Sequence, residues 1–197
     1  MTHKNLLLIM LLTIKKALSS LLLLFALSTS AEINNVSIVI HGGAGWFTGM
    51  AQDDIDGIKK ALEESAIKGY EIMLKGGTSI DAVEEAIVIL EDNPLFNAGK
   101  GAVYTSEFKQ ELDASIMDGS DLNAGAAASV TNVKNPIRLA RHIMENTKHV
   151  MFSGKGAERV AKEAGLEIVY PSYFYSKEKL ERARNQQKKS KMGTVGV

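Results

Sequence analysis

The 197-residue sequence contains no cysteine. Disulfides, thiolate zinc sites and a cysteine nucleophile are thereby excluded. Neither sign of charge is in excess, since 23 Lys and Arg balance 23 Asp and Glu. That balance argues against a nucleic-acid partner, which demands clustered basic residues. Histidine is scarce. His3, His41, His142 and His149 are scattered and show no H-E-x-x-H spacing, so a catalytic zinc site would need ligands that converge only in space. What remains is 45% hydrophobic and 23% charged, a composition that suits a soluble globular protein. The length suits one domain of roughly 100–200 residues, long enough to bury a sizeable core.

Residues 1–31 read as an address. Leu6–Ile14 is mostly apolar, Lys15 and Lys16 interrupt it, and apolar character resumes through Leu27 before Ser28-Thr29-Ser30-Ala31. A positive start, an apolar run of ~10 residues and a small-residue cleavage site make a signal peptide. Cleavage is expected after Ala31, giving a secreted or periplasmic protein without stable membrane insertion. An uncleaved anchor is the alternative, but it needs about 20 apolar residues, and the two lysines break that length. A true start at Met10 would explain the doubled apolar stretch. No cysteine follows the run, so lipid attachment at a cysteine is ruled out.

Further along, Val36–Ile40 (V-S-I-V-I) is β-branched and short, which predicts a buried strand leading into His41-Gly42-Gly43-Ala44-Gly45. Asp53–Leu74 carries Ile55, Ile58, Leu62 and Ala66 at helical spacing. Gly76-Gly77 ends that helix. Thr78 or Ser79 caps a second helix, with Asp81 in its first turn, and Asn93-Pro94 stops it. Strands are predicted at Ala102–Thr105, Leu112–Met117 and Ala124–Val130. Asn135-Pro136 opens a third helix, Val150–Phe152 reads as a strand and Ala157–Ala164 as a helix. Helices followed by several strands predict a layered α+β fold. From Ser176 to Lys191 seven basic residues face only Glu178 and Glu181. This run predicts a solvated, mobile connector over 176–193, since it lacks the interleaved aromatics of a nucleic-acid patch.

The connector leads to Met192-Gly193-Thr194-Val195-Gly196-Val197. A threonine hydroxyl is a weak nucleophile that needs an adjacent base. If the bond before Thr194 breaks, the residue gains an α-amine of pKa about 7.7–8.0, much of it neutral near physiological pH. One residue then supplies nucleophile and base. Gly193 would let the preceding peptide reach backbone angles closed to other residues. The other candidate features have structural readings beside functional ones. His41–Gly45 follows a predicted strand as a phosphate loop would, but lacks the G-x-G-x-x-G order. Asn97 can simply shape a Gly-rich turn, and Leu90–Lys100 can be an ordinary helix end and loop. Asp113 and Asp118 fit hydrogen-bonding structural roles better than acid/base catalysis.

Taken in order, H-G-G-A-G (His41–Gly45), P-L-F-N-A-G-x-G-A-V (Pro94–Val103), E-L-D-A-S-I-M-D-G (Glu111–Gly119) and K-M-G-T-V-G (Lys191–Gly196) resemble the plant-type asparaginases, or isoaspartyl peptidases, of the N-terminal nucleophile hydrolases. The resemblance implies an αββα four-layer sandwich and an autoprocessing threonine hydrolase acting on L-asparagine and β-aspartyl peptides. Thr194 matches the nucleophile, and Gly193–Thr194 the bond that cleaves itself. Asn97 matches an active-site asparagine. Gly42, Gly43 and Gly45 match a glycine loop beside the catalytic threonine. The backbone carbonyls of Leu90, Glu91, Asn93, Phe96, Ala98 and Lys100 match a loop that binds a structural sodium ion; no catalytic cofactor is implied. Family members continue into a β subunit holding the substrate-gripping arginine and aspartate, and they assemble as dimers of α/β units. The present sequence stops three residues after Thr194, so residues 32–193 match the α subunit and 194–197 the start of the β subunit. The sequence is expected to be part of a longer protein and inactive alone. A glycosylasparaginase-like amidase is an alternative, although those usually carry aspartate before the threonine. An inactive secreted protein with a binding or structural role is the alternative from another class.

Overall fold

The computed structural model describes residues 35–44 and 48–193. The predicted signal peptide, Gly45 and Thr194 lie outside the described residues. Two antiparallel-packed helices come first, Gln52–Leu74 (α1) and Ser79–Glu91 (α2). Thr78 caps α2 in a reciprocal box: Asp81 N donates to Thr78 Oγ1 at 3.1 Å, and Thr78 N to Asp81 Oδ2 at 3.0 Å, which satisfies two otherwise orphaned donors. The helices touch through small residues. Buried Ser65 donates to Ala86 O at 2.8 Å, and a Cβ on Gly69 would stand 3.0 Å from Ala82 O and collide with Ile38.

A three-stranded mixed sheet follows, formed by Leu112–Met117 (β1), Ala124–Val130 (β2) and Met151–Ser153 (β3). β1 pairs antiparallel with β2, and β2 parallel with β3. The parallel step needs a crossover, and the helix Pro136–Asn146 (α3) supplies it. The register slips between Leu112 and Ala114, where Ser129 takes a φ of 51°. Asp113 accepts a 2.8 Å bond from Ser129 N there, so its carboxylate stabilises the bulge. Asp118 likewise accepts from Ser120 N at 2.8 Å in the β1–β2 turn. Both acids hold backbone, as the sequence suggested.

The helix Gly154–Glu163 (α4) joins α3 on one face of the sheet. The pleat sends alternate side chains to that face. Leu112, Ala127, Leu139, Ile143, Ala157 and Ala161 form one buried cluster there, and Ile80, Ile116, Ile137 and Ala140 form another that reaches α2. Gly125 is required by this contact, since a Cβ would drive into Ala140 O and Met144. Charge ties the same elements together. Arg141 pairs with Asp81 at 2.7 Å, Glu84 at 2.6 Å and Glu145 at 2.8 Å, and Arg138 with Glu84 at 3.3 Å and Glu85 at 2.7 Å. The opposite face of the sheet carries Ser115, exposed Met117 and Met151, and the half-buried Ala124, Ala126 and Ala128.

The architecture is α+β, as expected. Three local expectations change. Val36–Ile40 keeps the strand-like alternation of half-buried and exposed residues but pairs with nothing among the described residues, and Val39 is 92% exposed. Alternation fits a strand, yet only a neighbouring chain can complete its ladder. Ala102–Thr105 is not a strand either. Its amides turn inward, with Val103 N donating to Asn97 Oδ1 at 2.9 Å and Thr105 N to Lys109 O at 2.8 Å. The expected mobile connector is instead the helix Lys177–Gly193 (α5). It is mostly exposed, as expected. Lys, Glu, Arg, Gln and Leu are strong helix formers, and Ser176 Oγ accepts from Lys179 N at 3.3 Å at its start. Among the described residues no helix is long and apolar enough to cross a membrane.

Candidate active site

The P-L-F-N-A-G-K-G-A-V segment folds into one tight turn at the C-terminal end of α2. Asn93 Oδ1 accepts from Leu95 N at 2.9 Å, a local side-chain bond that starts the turn before proline removes a donor. Gly99–Gly101 forms a single 3₁₀ turn closed by Gly101 N donating to Ala98 O at 2.9 Å. Both glycines are needed. Gly99 has a φ of 46° and lies against Glu91 O, while a Cβ on Gly101 would collide with the carbonyls of Phe96 and Pro94. The compact turn presents Asn97 at the surface and fixes its side chain through the bond from Val103 N.

The glycine loop meets this turn through Phe96, which is buried. A Cβ built on Gly42 would stand 3.2 Å from the Phe96 ring and 3.1 Å from Leu62. Gly43 takes a φ of 95° and donates its N–H to His41 Nδ1 at 3.1 Å. His41 thus accepts a local loop bond. The structure therefore brings Gly42 to the Asn97 turn. It does not bring Gly193 there. Gly193 is the last described residue of α5, about 21 Å along the helix axis from Lys179 at 1.5 Å per residue, and it is the first turn of α5 that touches the Pro94–Gly101 backbone.

Behind the turn, Glu91 is buried and accepts from Ile137 N, in the first turn of α3, at 3.0 Å, while its Oε2 has no partner among the described residues. Burial pushes its carboxyl up to about 8, against the bond from Ile137 N that favours the charged form. Asn135 Nδ2 adds a 3.1 Å bond to Asp92 Oδ1. The end of α2, from which the turn departs, is thus pinned to the start of α3.

The carbonyl set expected to hold sodium is compatible with a hard cation. Asn93 N donates to Leu90 O at 3.3 Å, Phe96 N to Asn93 O at 3.3 Å, and Gly101 N to Ala98 O at 2.9 Å. Each of these oxygens keeps a second lone pair. Leu90 O also lies in the last turn of α2, where the macrodipole favours positive charge. Among the described residues no group of three or more His, Asp or Glu gathers in a way that could hold a metal ion.

One cation on this turn escaped the sequence reading. Lys179 of α5 reaches across and donates from Nζ to Pro94 O at 2.8 Å, to Phe96 O at 3.4 Å and to Gly101 O. Nothing in a run of seven basic residues marks this one. Its only local signal is its position three residues after Ser176, where a cap begins the helix. α5 is further fastened by Gln187 Nε2 donating to Ser106 O at 3.0 Å and by Arg184 lying 5.8 Å from the Phe108 ring centroid.

The asparaginase family model matches residues 34–197, and the chain belongs to that family. It is 47% identical over 138 residues to the plant-type L-asparaginase of Pyrococcus furiosus, covering 70% of this chain and 43% of that protein. It is 42% identical over 161 residues to the plant-type L-asparaginase of Pyrococcus horikoshii, covering 81% and 50%. It is also 39% identical over 169 residues to the isoaspartyl peptidase/L-asparaginase of Mus musculus, covering 81% and 51%. The chain spans about half the length of these relatives.

Proposed function

We propose that this chain forms the α-subunit portion of an autoprocessing threonine hydrolase that cleaves the side-chain amide of L-asparagine and β-aspartyl peptides. The observation that carries the reading is the Asn97 turn, built against the glycine loop through Phe96, in a chain whose asparaginase match runs on through Thr194.

In self-cleavage, Thr194 Oγ attacks the Gly193 carbonyl carbon. The Gly193–Thr194 amide becomes an ester, and water hydrolyses the ester to a Gly193 carboxylate and a Thr194 α-amine. Gly193 lies at the far end of α5 from the Asn97 turn. Bringing it toward the Asn97 turn requires the final turns of α5 to unwind. An exposed helix with few buried side chains is marginal in water, so that cost is small.

In turnover, the free α-amine takes the proton of Thr194 Oγ, which attacks the side-chain carbonyl of the substrate. Ammonia leaves from asparagine, or the α-amine of the next residue leaves from a β-aspartyl peptide. Water then releases aspartate. Donors from the β subunit stabilise the oxyanion, the largest single contribution in such acyl transfers. Asn97 orders the site beside the nucleophile. Sodium held by the carbonyls of Leu90, Glu91, Asn93, Phe96, Ala98 and Lys100 would stiffen the turn. It takes no part in the bond changes.

The sheet face with exposed Met117 and Met151 and half-buried Ala124, Ala126 and Ala128 is suited to a second sheet, which would complete the four-layer sandwich. The processed α/β units pair as dimers, and residues 1–31 direct export to a secreted or periplasmic compartment. The test uses the full-length protein and its Thr194→Ala variant. The wild type is expected to run as two subunits and to release aspartate from asparagine and a β-aspartyl dipeptide. Thr194→Ala is expected to stay as one inactive band. A processed or active Thr194→Ala variant would overturn the assignment.

A further inference from the structure

We propose that Lys179 is a positioning residue of the active site, its ammonium acting as a built-in cation that holds the Asn97 turn in shape. The inference rests on the reading of Asn97 as part of that site. Three carbonyl oxygens, those of Pro94, Phe96 and Gly101, converge on Nζ. An ammonium has three donors and no acceptor, so the trio consumes all of them. Among the described residues no carboxylate lies within salt-bridge distance of Lys179. The side chain is half-buried, and burial holds its pKa below the ordinary lysine value. A half-buried charge persists only where its donors are met.

The geometry says what the contact does. Three carbonyl dipoles pointing to one spot repel each other unless a positive charge sits between them. Gly99 and Gly101 make the turn tight enough to bring them together. Phe96 O belongs to the peptide whose N–H is that of Asn97, so the ammonium fixes that peptide plane. Val103 N fixes the other end of the same residue through Oδ1. Asn97 is thus held from both its backbone and its side chain. This cradle overlaps the expected sodium loop at the Phe96 carbonyl, while Pro94 O and Gly101 O lie outside that loop's set. Lys179 lies on the α-subunit side of Gly193, so cleavage leaves it in place.

Chemical rescue in the full-length protein tests the proposal, with aspartate release from a β-aspartyl dipeptide as the readout. Lys179→Ala is expected to lower kcat by about tenfold or more, as loss of charge-assisted hydrogen bonds does, with a smaller change in KM. Ethylammonium chloride should restore much of the loss, while tetramethylammonium, which has no N–H donor, should not. Lys179→Met, whose thioether fills the space, should be impaired and beyond rescue. Lys179→Arg keeps donors and charge and should retain most activity, which covers the case in which the alanine variant fails to fold. Wild-type kcat/KM in Lys179→Ala would overturn the proposal. So would a loss that ethylammonium does not relieve together with an equally impaired Lys179→Arg. Thr194→Ala, run alongside, separates the two ideas: its inactivity leaves the nucleophile reading standing whatever Lys179 does, and its activity removes that reading itself.

Discussion

Replacing Gly101 by alanine tests the turn at its tightest point. The added methyl would press on the carbonyls of Phe96 and Pro94, and neither can give way as a flexible side-chain tip would. The turn would open, weakening the bond from Gly101 N to Ala98 O and withdrawing an acceptor from Lys179. Overpacking alone costs about 1–3 kcal/mol, and a lost hydrogen bond adds about 1 kcal/mol, so a destabilisation of about 3 kcal/mol is expected. The assay is urea unfolding of the full-length protein in the Thr194→Ala background, so that processing does not mix species. Gly119→Ala is the control, since a methyl there meets nothing within 4 Å, and it should stay within about 0.5 kcal/mol of the parent. In the Thr194 protein, Gly101→Ala should also depress turnover more than Gly119→Ala does. Equal unfolding free energies for the two variants would refute the close approach and the shape deduced for the Asn97 turn.

Other outcomes follow from other contacts. Asn97→Ala in the full-length protein should lower kcat by more than it lowers stability, read by aspartate release and urea unfolding together, because its side chain is exposed and makes one described bond, from Val103 N. Glu84→Ala should cost about 1 kcal/mol, because each partly exposed arginine on α3 loses one pair but keeps others, Glu85 for Arg138 and Asp81 and Glu145 for Arg141; a urea titration would show it. Glu158 on α4 is pushed up by burial, but bonds from Lys155 and Thr131 outweigh this and hold it below the ordinary value of 4.5. Its stabilising contribution is therefore present above about pH 4.5 and lost as pH falls through the lower folded value, and Glu158→Gln should flatten the acid limb of stability. Melting in sodium chloride should exceed melting in a bulky-cation chloride of equal strength, the difference reporting the carbonyl loop.

How far the sequence carried varied with the physics behind each element. β1 and β2 were legible at their true bounds, β1 because Leu112, Ala114 and Ile116 alternate with Asp113 and Ser115. Helix α2 announced itself through Thr78 and Asp81 at one end and Asn93-Pro94 at the other. Val36–Ile40 has the same kind of signal, yet a strand's ladder depends on a partner that its own residues do not encode. The α5 segment misled because lysine and glutamate mark solvated surface and helix alike, and charge alone does not separate connector from helix. Around the candidate site, motif order singled out Asn97 and the glycines. The reason for Gly99 and Gly101, carbonyls within reach of any added methyl, came only from packing. Lys179 stayed hidden because its acceptors are backbone oxygens about eighty residues earlier, which no side-chain pattern records.

Intact mass and N-terminal sequencing of the full-length product, taken while it hydrolyses a β-aspartyl dipeptide, bear most directly on the nucleophile. A subunit beginning at Thr194, paired with one ending at Gly193, is the predicted result. Full hydrolytic rate from a polypeptide in which the Gly193–Thr194 bond is intact would contradict it.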